Sequence, residues 1–85
     1  MPYIKKDRRK VFAAAITDIM EKGIGSAGEL NYLVSMFCKI YGRSKKFNYQ
    51  VINDIIGALE GAKHEYVRRV VNGYEDGKIQ ENGDI

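Results

Sequence analysis

Cysteine is nearly missing from this chain of 85 residues. Cys38 stands alone, which excludes an intramolecular disulfide and a zinc site built from several cysteines. It reads as a buried structural thiol. Histidine is as scarce: His64 is the single one, with Glu60 four residues before it on the same helix face. Two ligands fall short of a catalytic zinc site, which needs about three and an open position. No apolar run approaches the roughly 20 residues that cross a bilayer. The opening MPYIKKDRRK has no apolar stretch behind its charges and does not read as a secretory signal, so a reducing, cytoplasmic setting is expected. No G-x-S-x-G elbow, P-loop or dinucleotide fingerprint occurs. A helical all-carboxylate site needs several facing acids, and the expected second helix, from Ser26 to Tyr41, offers only Glu29. The expectation is a protein that is not an enzyme and takes neither cofactor nor metal.

What is present is a globular mixture, 45% hydrophobic and 29% charged, in 9.6 kDa. That allows a single domain over residues 1–85. A chain this short buries only about 60–65% of its unfolded surface. Ordering costs about 1.5 kcal/mol per residue, which nearly cancels the apolar gain. With no disulfide to help, a homo-oligomer, dimer or higher, is expected.

Three segments carry a helical period, so the expected fold is all-α: a helical hairpin plus a long third helix. In the first, about Asp7 to Lys22, Phe12, Ile16, Ile19 and Met20 form one stripe, and Gly23 and Gly25 end it. The second starts at Ser26, which with Glu29 has capping-box spacing; Leu30, Leu33, Val34, Phe37 and Tyr41 come next on one face, and Gly42 closes it. The third is capped by Asn48 and runs through Ile52, Ile55, Ile56, Leu59, Ala62, Tyr66, Val67, Val70 and Val71 to Gly73. The first two helices are expected to pack across Phe12, Ile16, Leu30, Val34 and Phe37, with Ile52, Ile55, Ile56 and Leu59 added from the third. The third is longer than its partners, so its Val67, Val70 and Val71 end is expected to meet another subunit. Gly57 and Gly61 inside it call either for a close helix neighbour or for room beside bare backbone. Residues 1–6 read as an N-terminal arm. Residues 74–85 read on their own as an acidic, frayed tail, unless Tyr74 and Ile79 pin it back to the body.

Charge is uneven along the chain. The net charge is +3. Lys5, Lys6, Arg8, Arg9 and Lys10 stand against Asp7 alone, a local +4. Lys39, Arg43, Lys45 and Lys46 make another +4, and the end carries Glu75, Asp76, Glu81 and Asp84 against Lys78. The basic groups either track phosphates or serve as solubilising charge and pair with the acidic end. Arg68 and Arg69 close the long helix. They either complement its dipole and pair with Glu75 or Asp76, or form a fork for phosphate or carboxylate beside Tyr66 and Tyr74.

Several of these stretches carry a likeness. Met1-Pro2-Tyr3-Ile4-Lys5, Gly28-Glu29-Leu30-Asn31-Tyr32, Ile56-Gly57-Ala58-Leu59-Glu60, Arg68-Arg69 and the closing Tyr74-Glu75-Asp76, Lys78-Ile79 and Glu81-Asn82-Gly83-Asp84 together resemble a family of small proteins of unknown function. Its members occur mostly in bacteriophages, prophages and related mobile elements. The resemblance covers nearly the whole chain and implies a phage context, with the acidic end as a family feature. A looser, architectural likeness is to small helical phage counter-defence oligomers that hold cyclic nucleotides between subunits, using Arg, Lys and Tyr near the end of a long C-terminal helix.

Two functions are expected on these grounds. The first is a non-enzymatic phage-type binding protein that sequesters a small anionic ligand, such as a cyclic nucleotide, through Tyr66, Arg68, Arg69 and Tyr74, or that blocks a host protein. The second is a small nucleic-acid-binding accessory protein using Lys5, Lys6, Arg8, Arg9, Lys10, Arg43, Lys45 and Lys46.

Overall fold

The computed structural model describes residues 4–83, and these are helical with no strand among them. Met1, Pro2 and Tyr3 of the arm and Asp84 of the acidic end lie outside the described residues. The chain divides into two units, residues 1–44 and 45–85.

The first unit holds α1 (Lys6–Val11), α2 (Ala13–Lys22) and α3 (Ala27–Arg43). The first expected helix is thus dislocated at Phe12, whose φ of −99° and ψ of −3° leave the helical range before the Ile16 N–H bonds back to the Phe12 carbonyl. A physical reason lies in the charges. An unbroken helix would set Arg8, Arg9 and Lys10 in its first turn, where the dipole disfavours cations; the break at Phe12 makes that turn the last turn of α1, where cations are favoured. Gly23 takes φ +79° and ends α2.

The cap of α3 forms as the sequence implies. Ser26 Oγ accepts the Glu29 N–H at 3.1 Å, while Glu29 Oε1 accepts the N–H of Gly25 at 2.7 Å, one residue before the usual capping-box partner. Gly42 does not stop α3, which continues to Arg43 and is closed by the Ser44 N–H on the Ile40 carbonyl.

The expected packing of the first two helical segments is not found. α2 and α3 do not close on each other; within this unit only α1 and α2 touch. Phe12, Ile16 and Leu30 are exposed, Phe37 is 55% exposed, and Val34 is half-buried. Cys38 is half-buried rather than buried. Periodicity marks the apolar face of a helix correctly, but it does not say what covers that face.

The second unit is one helical run. α4 (Tyr49–Tyr66) begins at Asn48, whose Oδ1 accepts the Val51 N–H at 3.1 Å. A five-residue π turn (Val67–Val71) and α5 (Asn72–Asn82) continue it without a break. The expected stop at Gly73 is therefore corrected: the chain stays helical to Asn82, and the helix ends at Gly83, with φ +82°. Glycine at 73 costs roughly 1 kcal/mol of helix propensity. No proline or new cap comes after it to make leaving the helix favourable. From Tyr49 to Asn82 the run is about 50 Å long.

Val51, at 5% exposure, is the one buried residue among those described. Ile55 is half-buried, while Ile52, Ile56 and Leu59 are exposed. A Cβ added at Gly57 meets nothing within 4 Å, so no close neighbour within its own unit explains that glycine.

Candidate functional site

The π turn sits where the sequence placed its candidate binding residues. The Asn72 N–H donates to the Val67 carbonyl five residues back, which inserts one extra residue into the helix. Three β-branched valines, Val67, Val70 and Val71, occupy this turn, and such side chains crowd a regular α-helix. Phase is the consequence. Eight residues of α-helix would set Tyr66 and Tyr74 about 80° apart; absorbing one residue in the π turn brings them within about 20°. Tyr66, Val70 and Tyr74 therefore share one face, at 62%, 47% and 63% exposure.

Arg68 and Arg69 meet a carboxylate that the sequence pattern did not single out for them. Glu65, with a side chain only 21% exposed, takes Arg69 Nε at 2.7 Å and Arg68 Nη2 at 3.3 Å. The spacings are i,i+4 and i,i+3, so the local helical ladder settles the partner before any distant acid competes. The signal was in the sequence, as Glu65 three and four residues ahead of two arginines. Chemically, the expected anion fork already holds an anion. Tyr74 carries the Lys78 ammonium 5.5 Å from its ring centroid, and Lys78 also reaches Glu81 at 3.3 Å.

The basic residues of the alternative reading fall in three places. Lys5 precedes α1, and Lys6, Arg8, Arg9 and Lys10 lie within it; all are exposed. Arg9 Nε donates to the Ile4 carbonyl at 3.1 Å, and Arg8 lies 5.3 Å from the Phe12 ring centroid. Among the described residues, none of these five cations forms an ion pair. Arg43 lies in the last turn of α3, and Lys45 and Lys46 lie in the segment before α4.

Two other features lie apart from these clusters. Glu60 faces His64 Nε2 at 3.5 Å, as the i,i+4 spacing implied, and Lys63 Nζ at 3.9 Å, three residues on. No group of three His, Cys, Asp or Glu side chains gathers among the described residues. An open depression at the start of α3, lined by Ile24, Glu29, Tyr32 and Leu33 among others, was not anticipated; its Glu29 is engaged in the cap.

A family model described as Domain of unknown function (DUF6899) matches residues 1–85. The chain belongs to this family. No curated protein and no solved structure matches it. DUF6899 membership thus spans both units and names no chemistry, so the functional reading rests on the geometry. No described helix is long and apolar enough to cross a membrane.

Proposed function

We propose that this DUF6899 protein is a non-enzymatic binding protein that acts by associating with another polypeptide. The phage or prophage setting comes from the resemblance, and with it a role in the host-cell cytoplasm, blocking a host protein or holding a small anionic ligand across an assembled interface. One observation carries the reading. Among the described residues Val51 alone is buried, while Phe12, Ile16, Leu30, Phe37, Ile56, Tyr66 and Tyr74, with other large apolar side chains, are exposed. Soluble monomers rarely leave apolar surface on this scale uncovered, and large exposed patches mark interaction sites. A chain of this size with so small a core gains too little from burial to offset chain entropy. Association supplies the missing burial. The test is thermal unfolding at increasing protein concentration, followed by circular dichroism. Association predicts a midpoint that rises with concentration by mass action. A sharp, concentration-independent transition of a lone protomer overturns the reading.

A second reading has its own observation: the five exposed cations at Lys5–Lys10 that no acid neutralises among the described residues. They suit a phosphate backbone. If all five contact phosphates of a duplex, log affinity falls against log salt with a slope of about −4.5. A flat salt response rejects this reading and leaves the first untouched.

A further inference from the structure

We infer that the partner on the second unit is another copy of this chain, docked antiparallel along the helical run from Tyr49 to Asn82. This rests on the association reading and makes it specific. The docking face is the stripe Ile52, Ile56, Leu59, Tyr66, Val70 and Tyr74, all exposed. The first four positions keep the α-helical period, and the residue absorbed in the π turn sets Val70 and Tyr74 beside Tyr66, about 60° round the helix from Ile52, so the six positions form one apolar face about 100° wide.

Three observations select a second copy. Length is the first. The run is about 50 Å long, whereas α2 (10 residues) and α3 (17 residues) span about 15 and 26 Å. An identical run is the one helix of the chain that matches it from end to end. Area is the second. Six large side chains, each about half exposed and worth about 200 Å² in full, present roughly 600 Å². The flanking stems of Arg69 and Lys78 bring this near the roughly 800 Å² per partner of a standard interface. Charge is the third, and it fixes direction. The unit is basic at its start, with Lys45 and Lys46, and acidic at its end, with Glu75, Asp76 and Glu81. Parallel pairing sets like charge on like. Antiparallel pairing with Ile52 opposite Tyr74 and Ile56 opposite Val70 brings the acidic end of each copy toward the basic Lys45–Lys46 segment that precedes α4 of the other. Lys63 then falls at the two-fold axis, where it faces its own copy and is screened by the Glu60 carboxylate, 3.9 Å away.

The experiment starts with the unaltered chain. Sedimentation equilibrium from about 1 to about 200 µM, spanning the micromolar range in which a modest interface assembles, is expected to give twice 9.6 kDa at the upper end. A lone protomer at the highest concentration overturns the inference. If that protomer also unfolds sharply and independently of concentration, the association reading falls with it; if it is loosely folded, the reading stands with a foreign partner. Val70→Glu is expected to weaken the dimer at least tenfold. Should it lose helix as well, Val70→Ala, which keeps helix propensity, is expected to weaken it several-fold. Lys63→Leu removes the repulsion at the axis and is expected to tighten the dimer several-fold; no tightening overturns the register. With Cys38→Ser as background, Ile52→Cys is expected to cross-link to Tyr74→Cys in mixed dimers and not to itself. Self-cross-linking of Ile52→Cys overturns the antiparallel direction. A dimer insensitive to Val70→Glu places the contact elsewhere and overturns the inference while leaving association intact.

Discussion

Gly23 in the first unit and Gly73 in the second are used in opposite ways. In residues 1–44, Gly23 takes φ +79° and ends α2, and four residues later a new helix begins. In residues 45–85, Gly73 and Gly77 lie within α5, and the helix passes through both. The residues downstream of each glycine account for the difference. After Gly23 come Gly25, Ser26 and Glu29, whose cap satisfies orphan N–H groups of a fresh helix, at 3.1 and 2.7 Å. After Gly73 no such cap exists among the described residues, so leaving the helix would sacrifice hydrogen bonds and gain none. A glycine permits a stop; a competing cap makes the stop favourable.

The strongest way to break this contrast is to force a stop in the second unit. Gly73→Pro removes a backbone N–H and clashes with the preceding turn, a cost of about 3 kcal/mol or more. Circular dichroism should lose helix on the scale of α5, and the melting midpoint should fall steeply. An unchanged spectrum would mean that α5 contributes nothing to the helical run.

The contrast also predicts opposite signs for one chemical change. A Cβ at Gly73 or Gly77 meets nothing within 4 Å. Gly73→Ala and Gly77→Ala should each stabilise by about 0.5–1 kcal/mol, because alanine loses less entropy on entering a helix. Gly23→Ala also meets open space, but its φ of +79° suits no residue with a Cβ. It should destabilise by about 1 kcal/mol. Chemical denaturation of the three variants checks the signs, and a stabilising Gly23→Ala removes the distinction.

These cases show what the sequence could tell. The Ser26–Glu29 and Asn48 caps were legible because a side chain and a backbone group three residues away settle them without help from the rest of the chain. The His64–Glu60 pair was legible for the same reason. The continuation past Gly73 was not, since a lone glycine is compatible with stop and passage alike. The packing of Phe12, Ile16, Leu30 and Phe37 was misjudged because amphipathic spacing identifies an apolar face and leaves its cover undetermined. The π turn had only its valine-rich VRRVV as a trace, and that pattern occurs in ordinary helices too.

The finest test concerns the candidate site itself. Glu65 holds both arginines of the expected anion fork. Glu65→Gln keeps the shape of the side chain and removes its charge. Helical i,i+3 and i,i+4 pairs whose arginines remain mostly exposed contribute about 0–1 kcal/mol, so the melting midpoint should move little. The electrostatics change far more than the stability. With the carboxylate neutral, the two guanidinium groups no longer share their bidentate donors with a built-in anion. Affinity for inorganic pyrophosphate, read by titration calorimetry, should then rise several-fold over that of the unaltered chain. That outcome would make Glu65 a resident competitor for the anion site, and Arg68 and Arg69 its ligands. Equal absence of heat from both proteins would assign the three residues to the helix alone, and would leave the apolar stripe beside them as the recognition surface of this unit.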